Sequence, residues 1–290
     1  MSHLARGPAL ACQAAEQPGG WQAWLALNCA PRLGASRLIR REHSGPLAVQ
    51  KPLYPEGPHV CHCVVLHPPG GIVGGDRLDI EVKVETDARL LATTPGAGKW
   101  YRSQGPMAEQ QHVFDIGAHA SLEWLPQENI VFDGARVGMR VAVNLAEGGR
   151  YIGWDVLCLG RTASGERFTR GAVASRTEIL QVGRRLWGDY ARFEGGARLL
   201  QAPAGLAGYP VMGTLLAAGT DPDRALIDGC RAVEAPPGAL VGVTALPGVL
   251  AARYLGESTQ AARSYFVALW RILRPVLLGR EACPPRVWNT

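Results

Sequence analysis

Residues 66–80 read LHPPGGIVGGDRLDI, and this stretch decides between two kinds of fold. Two glycine pairs, 70–71 and 74–75, stand between an apolar run and an alternating one, and an acid follows them directly. A dinucleotide-binding loop needs G-x-G-x-x-G at the start of a helix, because the helix N-terminus holds the pyrophosphate. Here the glycines are out of register, and a strand-like segment follows Asp76. The stretch therefore predicts a sharp reversal between two strands.

A second glycine-rich segment, TTPGAGKW at residues 93–100, partly matches a phosphate-binding P-loop. That loop needs a first glycine, four intervening residues, a Gly-Lys pair and then a hydroxyl residue, because the hydroxyl holds magnesium. Thr93 takes the place of the first glycine, and Trp100 takes the place of the hydroxyl residue. The segment therefore predicts no nucleotide site in this chain.

Composition and hydrophobic periodicity both favour strands. The 290 residues include 36 Gly and 21 Pro without a fixed period, which is typical of a chain with many turns. Apolar side chains alternate with polar ones over residues 21–27, 78–84 and 139–145, the two-residue period of a half-buried strand. Residues 21 to about 200 are therefore expected to form one continuous all-β unit.

Helical patterns are confined to the last third of the chain. Asp221 precedes Pro222, a combination typical of a helix start, and apolar residues then recur at helical spacing until Pro236. A second pattern begins near Ser258, and Pro275 is expected to stop it. We predict a flexible terminus at residues 1–20 and a single mostly β domain with about two helices at 21–290.

Charge and cysteine content restrict the classes of partner. The net charge of +5 comes mainly from dispersed arginines, with no dense basic run of the kind that nucleic-acid binding needs. No window approaches the roughly eighteen unbroken apolar residues of a membrane span. The seven cysteines are an odd number in a long chain, which favours a reducing compartment. These features predict a cytoplasmic protein that binds neither nucleic acid nor membrane.

Two patterns raise chemical hypotheses. Four carboxylates lie near apolar segments, so a β-rich hydrolase with paired acids stays open as an alternative function: Glu123, Glu128, Asp133 and Asp155. Cys61, His62 and Cys63 are residue types that bind nickel, copper or zinc. In a strand, however, the two thiols face one side and the imidazole the other, so they cannot close on one ion. The sequence predicts no permanent metal site and no catalytic residue.

Seven blocks in the same order closely resemble the urease accessory protein family called UreD, or UreH in some bacteria. The resemblance covers about residues 21–290, and it rests on the number and order of the blocks. They are GPLAVQKPLYPEGP, LHPPGGIVGGDRLDI, LLATTPGAGKWYRS, LEWLPQENIVFDGA, CLGRTASGERF, GTLLA and PPRVWNT.

The resemblance implies a non-enzymatic maturation factor with a mostly β, helical-type arrangement of sheets and a pair of helices. Members of the family bind apo-urease and recruit UreF-type and UreG-type partners, of which UreG is the GTPase, so that nickel reaches the urease active site. The family therefore implies no permanently bound cofactor and only transient nickel.

A nickel conduit would place polar side chains along an interior passage, because a closed four-ligand cage would not release the ion. Asp76, Asp155 and Glu178 are acids in apolar, turn-flanked contexts within or near the matching blocks, and we predict that they line such a passage. His62 is a further candidate for transient contact. For Asp76 the alternative is a carboxylate that accepts backbone hydrogen bonds in its own turn.

Lys99, Trp100, Tyr101 and Arg102 follow a glycine turn and include the residue types that are enriched at interface centres. We predict that they contact a partner, with Lys99 and Arg102 meeting acidic groups. The alternative is that the aromatic side chains fill the core of this domain.

Overall fold

The computed structural model describes residues 19–289, and within them the chain forms 17 strands and three α-helices. The first nine strands are β1 Gln22–Arg32, β2 Ala35–Ser44, β3 Ala48–Val49, β4 Cys61–Leu66, β5 Arg77–Val84, β6 Arg89–Thr93, β7 Gly98–Trp100, β8 Ala108–Ile116 and β9 Ser121–Trp124. The others are β10 Asn129–Val131, β11 Arg136–Leu145, β12 Arg150–Leu159, β13 Ala172–Gln181, β14 Arg184–Glu194, β15 Val211–Ala218, β16 Leu240–Leu246 and β17 Val249–Gly256. The helices are α1 Arg198–Gln201, α2 Arg224–Arg231 and α3 Thr259–Leu278.

These strands build two large sheets. The described residues form a seven-stranded sheet in the order β14-β13-β11-β8-β5-β1-β2 and a ten-stranded sheet in the order β16-β17-β15-β12-β9-β6-β4-β3. The short strands β7 and β10 complete the second sheet beside β12. The prediction of one mostly β, multi-stranded domain is confirmed.

From β4 to β13 the chain passes back and forth between the two sheets. Strands β5, β8, β11 and β13 are parallel neighbours in the seven-stranded sheet. Strands β4, β6, β9 and β12 are parallel neighbours in the ten-stranded sheet. Successive long strands therefore alternate between the sheets and stack as the turns of a flattened coil, which confirms the helical-type arrangement.

The expected reversal at residues 66–80 is wrong. Strand β4 lies in the ten-stranded sheet and β5 in the seven-stranded one, so the segment crosses between sheets instead of folding one strand back on its neighbour. The glycines permit close approach, because a side chain at Gly71 would overlap the Tyr101 ring. Gly75 has φ +95°, a backbone conformation that favours glycine.

The two expected helices are present as α2 and α3, with corrected ends. Asp223, and not Asp221, caps α2, because its carboxylate accepts the Leu226 N–H at 2.7 Å. Asp221 instead accepts the Gly248 N–H at 2.6 Å. Ser258 caps α3 as expected, but Pro275 lies inside that helix, which continues to Leu278. The four-residue helix α1 was not predicted.

The core has two layers. One lies between the two sheets, and the other lies between the ten-stranded sheet and α3, which packs on β12, β15 and β17. Within residues 19–289 no helix has the length and apolar character needed to cross a bilayer. The predicted flexible terminus at 1–20 lies almost entirely outside the described residues.

Candidate functional site

A cavity of about 260 Å³ lies between the two sheets, and its mostly apolar lining includes several polar side chains. In the ten-stranded sheet a row of paired residues from β12, β15 and β17 lines it: Asp155, Thr214 and Arg253. In the seven-stranded sheet a second row from β8, β11, β13 and β14 lines it: His112, Val141, Thr177 and Asp189. Because apolar side chains fill most of the space between the sheets, the cavity concentrates polar groups within an otherwise hydrophobic layer.

Asp155 is held at the middle of the cavity by a chain of hydrogen bonds. Its Oδ1 accepts from Nδ2 of Asn129 at 2.9 Å, and Oδ1 of Asn129 accepts from the Trp100 indole N–H at 3.0 Å. The indole can only donate, so it fixes the orientation of the Asn129 amide. Burial raises the pKa of Asp155, and the Asn129 and backbone bonds partly oppose this.

His112 contributes an imidazole with no hydrogen-bond partner among the described residues. Its side chain is 7% exposed, and both ring nitrogens lack a partner. The ring stacks on Phe114 at 5.7 Å and meets the edge of Trp124 at 4.9 Å. Burial lowers its pKa to about 4, so the ring is neutral at neutral pH.

This pKa makes stability depend on pH. Between pH 6.5 and about 4 the unfolded chain protonates this histidine but the folded chain does not. Protons then favour the unfolded state, so the free energy of unfolding should fall by about 3 kcal/mol as the pH drops across this window. His112→Phe should remove this contribution. Urea unfolding of both proteins at several pH values measures it, and parallel pH profiles would contradict the burial of a neutral imidazole.

One end of the cavity is bordered by an ion pair that joins the sheets. Nη2 of Arg253 contacts Oδ2 of Asp189 at 2.7 Å, and Nη1 donates to Oγ1 of Thr214 at 2.7 Å. The Arg253 guanidinium lies 5.5 Å from the centre of the Trp187 ring. The side chains of Arg253 and Asp189 are 43% and 33% exposed, so this end of the cavity reaches the surface.

Of the four residues proposed for a nickel passage, only Asp155 lines this cavity. Asp76 is buried and accepts the backbone N–H groups of Trp21 and Val73 at 2.8 and 2.9 Å, so the alternative of a satisfied turn carboxylate holds. Glu178 is paired with Arg176 and Arg185 and does not line the cavity. Successive side chains of β13 point to opposite faces of the sheet, and it is Thr177 that faces the cavity.

His62 also lies away from the cavity. As expected from alternation it points opposite to Cys61 and Cys63, whose thiols lie 3.8 Å apart in the layer between the sheets. The His62 imidazole is within 2.6 Å of Glu56, and Glu56 in turn pairs with Arg274 of α3 at 2.7 Å. His62 therefore belongs to a buried network beneath the C-terminal helix.

The predicted partner segment separates into buried and exposed residues. The prediction that Trp100 faces a partner is wrong, because its side chain is fully buried in the core between the sheets. Tyr101 is partly buried, and its ring packs edge-on against Phe132 at 4.9 Å. Lys99 and Arg102 are exposed, and their contact with a partner stays a prediction.

The four carboxylates of the hydrolase hypothesis take separate partners. Glu123 pairs with Arg274 at 2.9 Å, and Glu128 lies 3.5 Å from Arg263. Asp133 accepts the backbone N–H groups of residues 169 and 170 at 2.7 and 2.9 Å. Since Asp155 is bonded to Asn129, these contacts give no support to a pair of acids working together.

Several cavity residues were not predicted from the sequence: His112, Thr177, Asp189, Thr214 and Arg253. The first of them was detectable, because His112 shares the inward phase of β8 with Phe114 and Ile116. The others depend on which strands meet across the cavity, and the sequence pattern does not reveal this.

The structure defines a class of protein first: a flattened coil of parallel strands, closed by antiparallel strands and a packed helix, with a cavity between its sheets. Comparison with known proteins then gives the family. The UreD urease accessory protein family matches residues 22–289. The chain belongs to the UreD family.

Three relatives called urease accessory protein UreD illustrate the similarity. The chain is 50% identical to the one from Dechloromonas aromatica, with 95% of this chain and 96% of the relative covered. It is 48% identical to the one from Methylobacillus flagellatus, with 93% and 95% covered. It is 45% identical to the one from Nitrosococcus oceani over the whole of both chains.

Proposed function

We propose that this chain is a urease maturation scaffold in the cytoplasm. It binds apo-urease, recruits UreF-type and UreG-type accessory proteins, and provides part of the path by which nickel reaches the urease active site. Family membership and the names of the relatives support the connection to urease. The UreG-type partner would supply GTP hydrolysis, since Thr93 and Trp100 occupy two key positions of the P-loop pattern here.

The elongated cavity is the observation that carries the proposal of a nickel path. Its lining includes residues of five strands, β4, β9, β12, β15 and β17, and β4 and β17 lie five strand spacings apart in the ten-stranded sheet. At the usual separation of about 4.8 Å between strands this is a length of about 24 Å. His67 and Lys99 lie toward the β4 end, Asp155 lies in the middle, and Arg253 lies at the surface-reaching end.

The cavity lining includes carboxylate, hydroxyl and imidazole groups, together with the cations Lys99 and Arg253. Carboxylate, hydroxyl and imidazole groups all bind nickel. Among residues 19–289, however, no three His, Cys, Asp or Glu side chains come together as a metal site. A cation would therefore meet one or two protein ligands at a time and keep part of its water shell. Such weak, sequential binding permits release at the far end.

We propose that Lys99, Tyr101 and Arg102 contribute to partner binding. Lys99 and Arg102 are exposed cations, and the ring of the neighbouring residue Tyr101 packs against Phe132. This arrangement fits an acidic surface with an aromatic contact at its centre.

Asp155→Asn tests the nickel path. The amide oxygen can still accept from Asn129, so the fold should be kept while the charge in the cavity is lost. In cells that express urease and its other accessory proteins, we expect several-fold less nickel per urease active site, with the complex still co-purifying. Glu178→Gln, which removes a charge outside the cavity, is the matched control and should change nothing. Normal nickel content with Asp155→Asn would refute the path.

A further inference from the structure

Both ring nitrogens of His112 are buried along the cavity with no hydrogen-bond partner among the described residues, and the Trp187 indole N–H shares this property. Buried polar groups in proteins nearly always have a hydrogen-bond partner, because leaving one unpaired costs stability. The flanking positions in the paired strands are Ile80 and Val141, and the ring itself packs on Phe114 and Trp124. Stability alone would favour a hydrocarbon side chain at this position.

We propose that His112 is a transient nickel ligand, which makes the cavity selective for first-row transition cations over Mg²⁺ and Ca²⁺. This inference rests on the proposed nickel path. The carboxylate of Asp155 and the hydroxyls of Thr177 and Thr214 are hard oxygen ligands of the kind that Mg²⁺ and Ca²⁺ prefer. A passage with those groups alone would favour the far more abundant magnesium ion.

A neutral imidazole changes that preference. Imidazole nitrogen suits nickel, copper and zinc and binds magnesium poorly. His112 meets the requirements, since it is buried and neutral, has no hydrogen-bond partner within residues 19–289, and lines the same cavity as Asp155. The aromatic rings on two sides of it limit how it can turn, so the imidazole is held ready for the ion without a protein hydrogen bond that would have to break.

The proposal predicts that stability and metal binding change in opposite directions. In the full-length chain, His112→Phe should raise the melting temperature at about pH 7.5 by about 2 °C or more, since it removes an unpaired polar group. The same change should weaken Ni²⁺ binding roughly tenfold or more. Excess Mg²⁺ should then displace the remaining Ni²⁺, as it should not in the wild type. Equilibrium dialysis and X-ray absorption at the nickel edge measure affinity and the loss of the imidazole ligand.

Two further variants make the result decisive. His112→Leu gives the same readouts if phenylalanine does not fit, and His43→Asn, which removes an exposed imidazole, should leave nickel binding unchanged. Unchanged nickel affinity and selectivity in both His112 variants would overturn the inference. If Asp155→Asn lowers nickel delivery to urease while the His112 variants do not, the nickel path stands and only the role of His112 fails. If neither change lowers delivery, the nickel path itself is refuted.

Discussion

Arg274→Met is expected to lower the free energy of unfolding by about 3–5 kcal/mol, because it leaves two buried carboxylates without their cation. Arg274 is fully buried in α3 and contacts Glu123 at 2.9 Å and Glu56 at 2.7 Å. Glu123 is 2% exposed and also accepts the Trp270 indole N–H at 2.7 Å. The network therefore fastens the C-terminal helix to the ten-stranded sheet.

Protonation of Glu56 gives the same network a pH dependence. Burial alone would raise the pKa of Glu56, but the bonds from His62 and Arg274 outweigh it and lower the pKa to about 2. Because the folded-state pKa lies below the usual value, this stabilisation is present above about pH 4.5 and is lost as the pH falls toward 2.

Urea unfolding, followed by tryptophan fluorescence at neutral pH, measures the Arg274→Met effect. Arg224→Met is a suitable control, because the side chain of that arginine is 92% exposed and pairs with Asp228 one helical turn away. It should leave the unfolding midpoint nearly unchanged. Adding Glu123→Leu to Arg274→Met should recover part of the loss, since one unpaired charge is removed. An Arg274→Met protein as stable as the wild type would show that the carboxylates are not desolvated.

Trp100→Ala is expected to lower the free energy of unfolding by about 3–5 kcal/mol through the cavity it leaves in the core. Trp100 is fully buried, and its indole N–H holds the Asn129 amide that bonds Asp155. Trp100→Phe should cost less, because it keeps most of the buried ring, but it frees the Asn129 amide to turn. Lys99→Ala, at the exposed neighbouring position, should have almost no effect on stability.

Unfolding midpoints of these three variants distinguish a core residue from an interface residue. A Trp100→Ala protein with unchanged stability but impaired partner binding would contradict the buried position and restore the interface hypothesis. If Trp100→Ala loses stability and Lys99→Ala does not, the result supports a buried Trp100 beside an exposed Lys99.

Local periodicity predicted the strands well, because a two-residue alternation such as that of residues 78–84 depends only on which face is buried. It did not predict which strands pair, since Ile80 lies opposite His112, which is distant in the sequence. The error at residues 66–80 has this origin. The glycines of this segment correctly indicated a tight backbone. They did not indicate that the chain crosses from one sheet to the other there.

The predictions of one helix end and of several site residues were wrong for related reasons. Pro275 was expected to stop α3, yet Leu273 and Arg274 are buried just before it, and their packing carries the helix past the missing N–H. Glu178 was proposed as a passage residue because it is an acid in an apolar, turn-flanked context, but the sequence did not show that Thr177 and not Glu178 would line the cavity. Asp155 was found because a carboxylate among apolar residues is conspicuous, whereas Arg253 and Asp189 acquire meaning only when two distant strands meet.

The alternation of the chain between two sheets has a consequence for biosynthesis. Each new strand of the coil pairs with the edge strand that the preceding turn contributed to the same sheet. A nascent chain can therefore fold in the order in which it leaves the ribosome. Until β14 and the C-terminal strands arrive, every intermediate carries two growing edges with unpaired backbone groups. Such intermediates are prone to pair edge to edge with other chains. Early binding of chaperones or assembly partners would prevent this aggregation of the nascent protein.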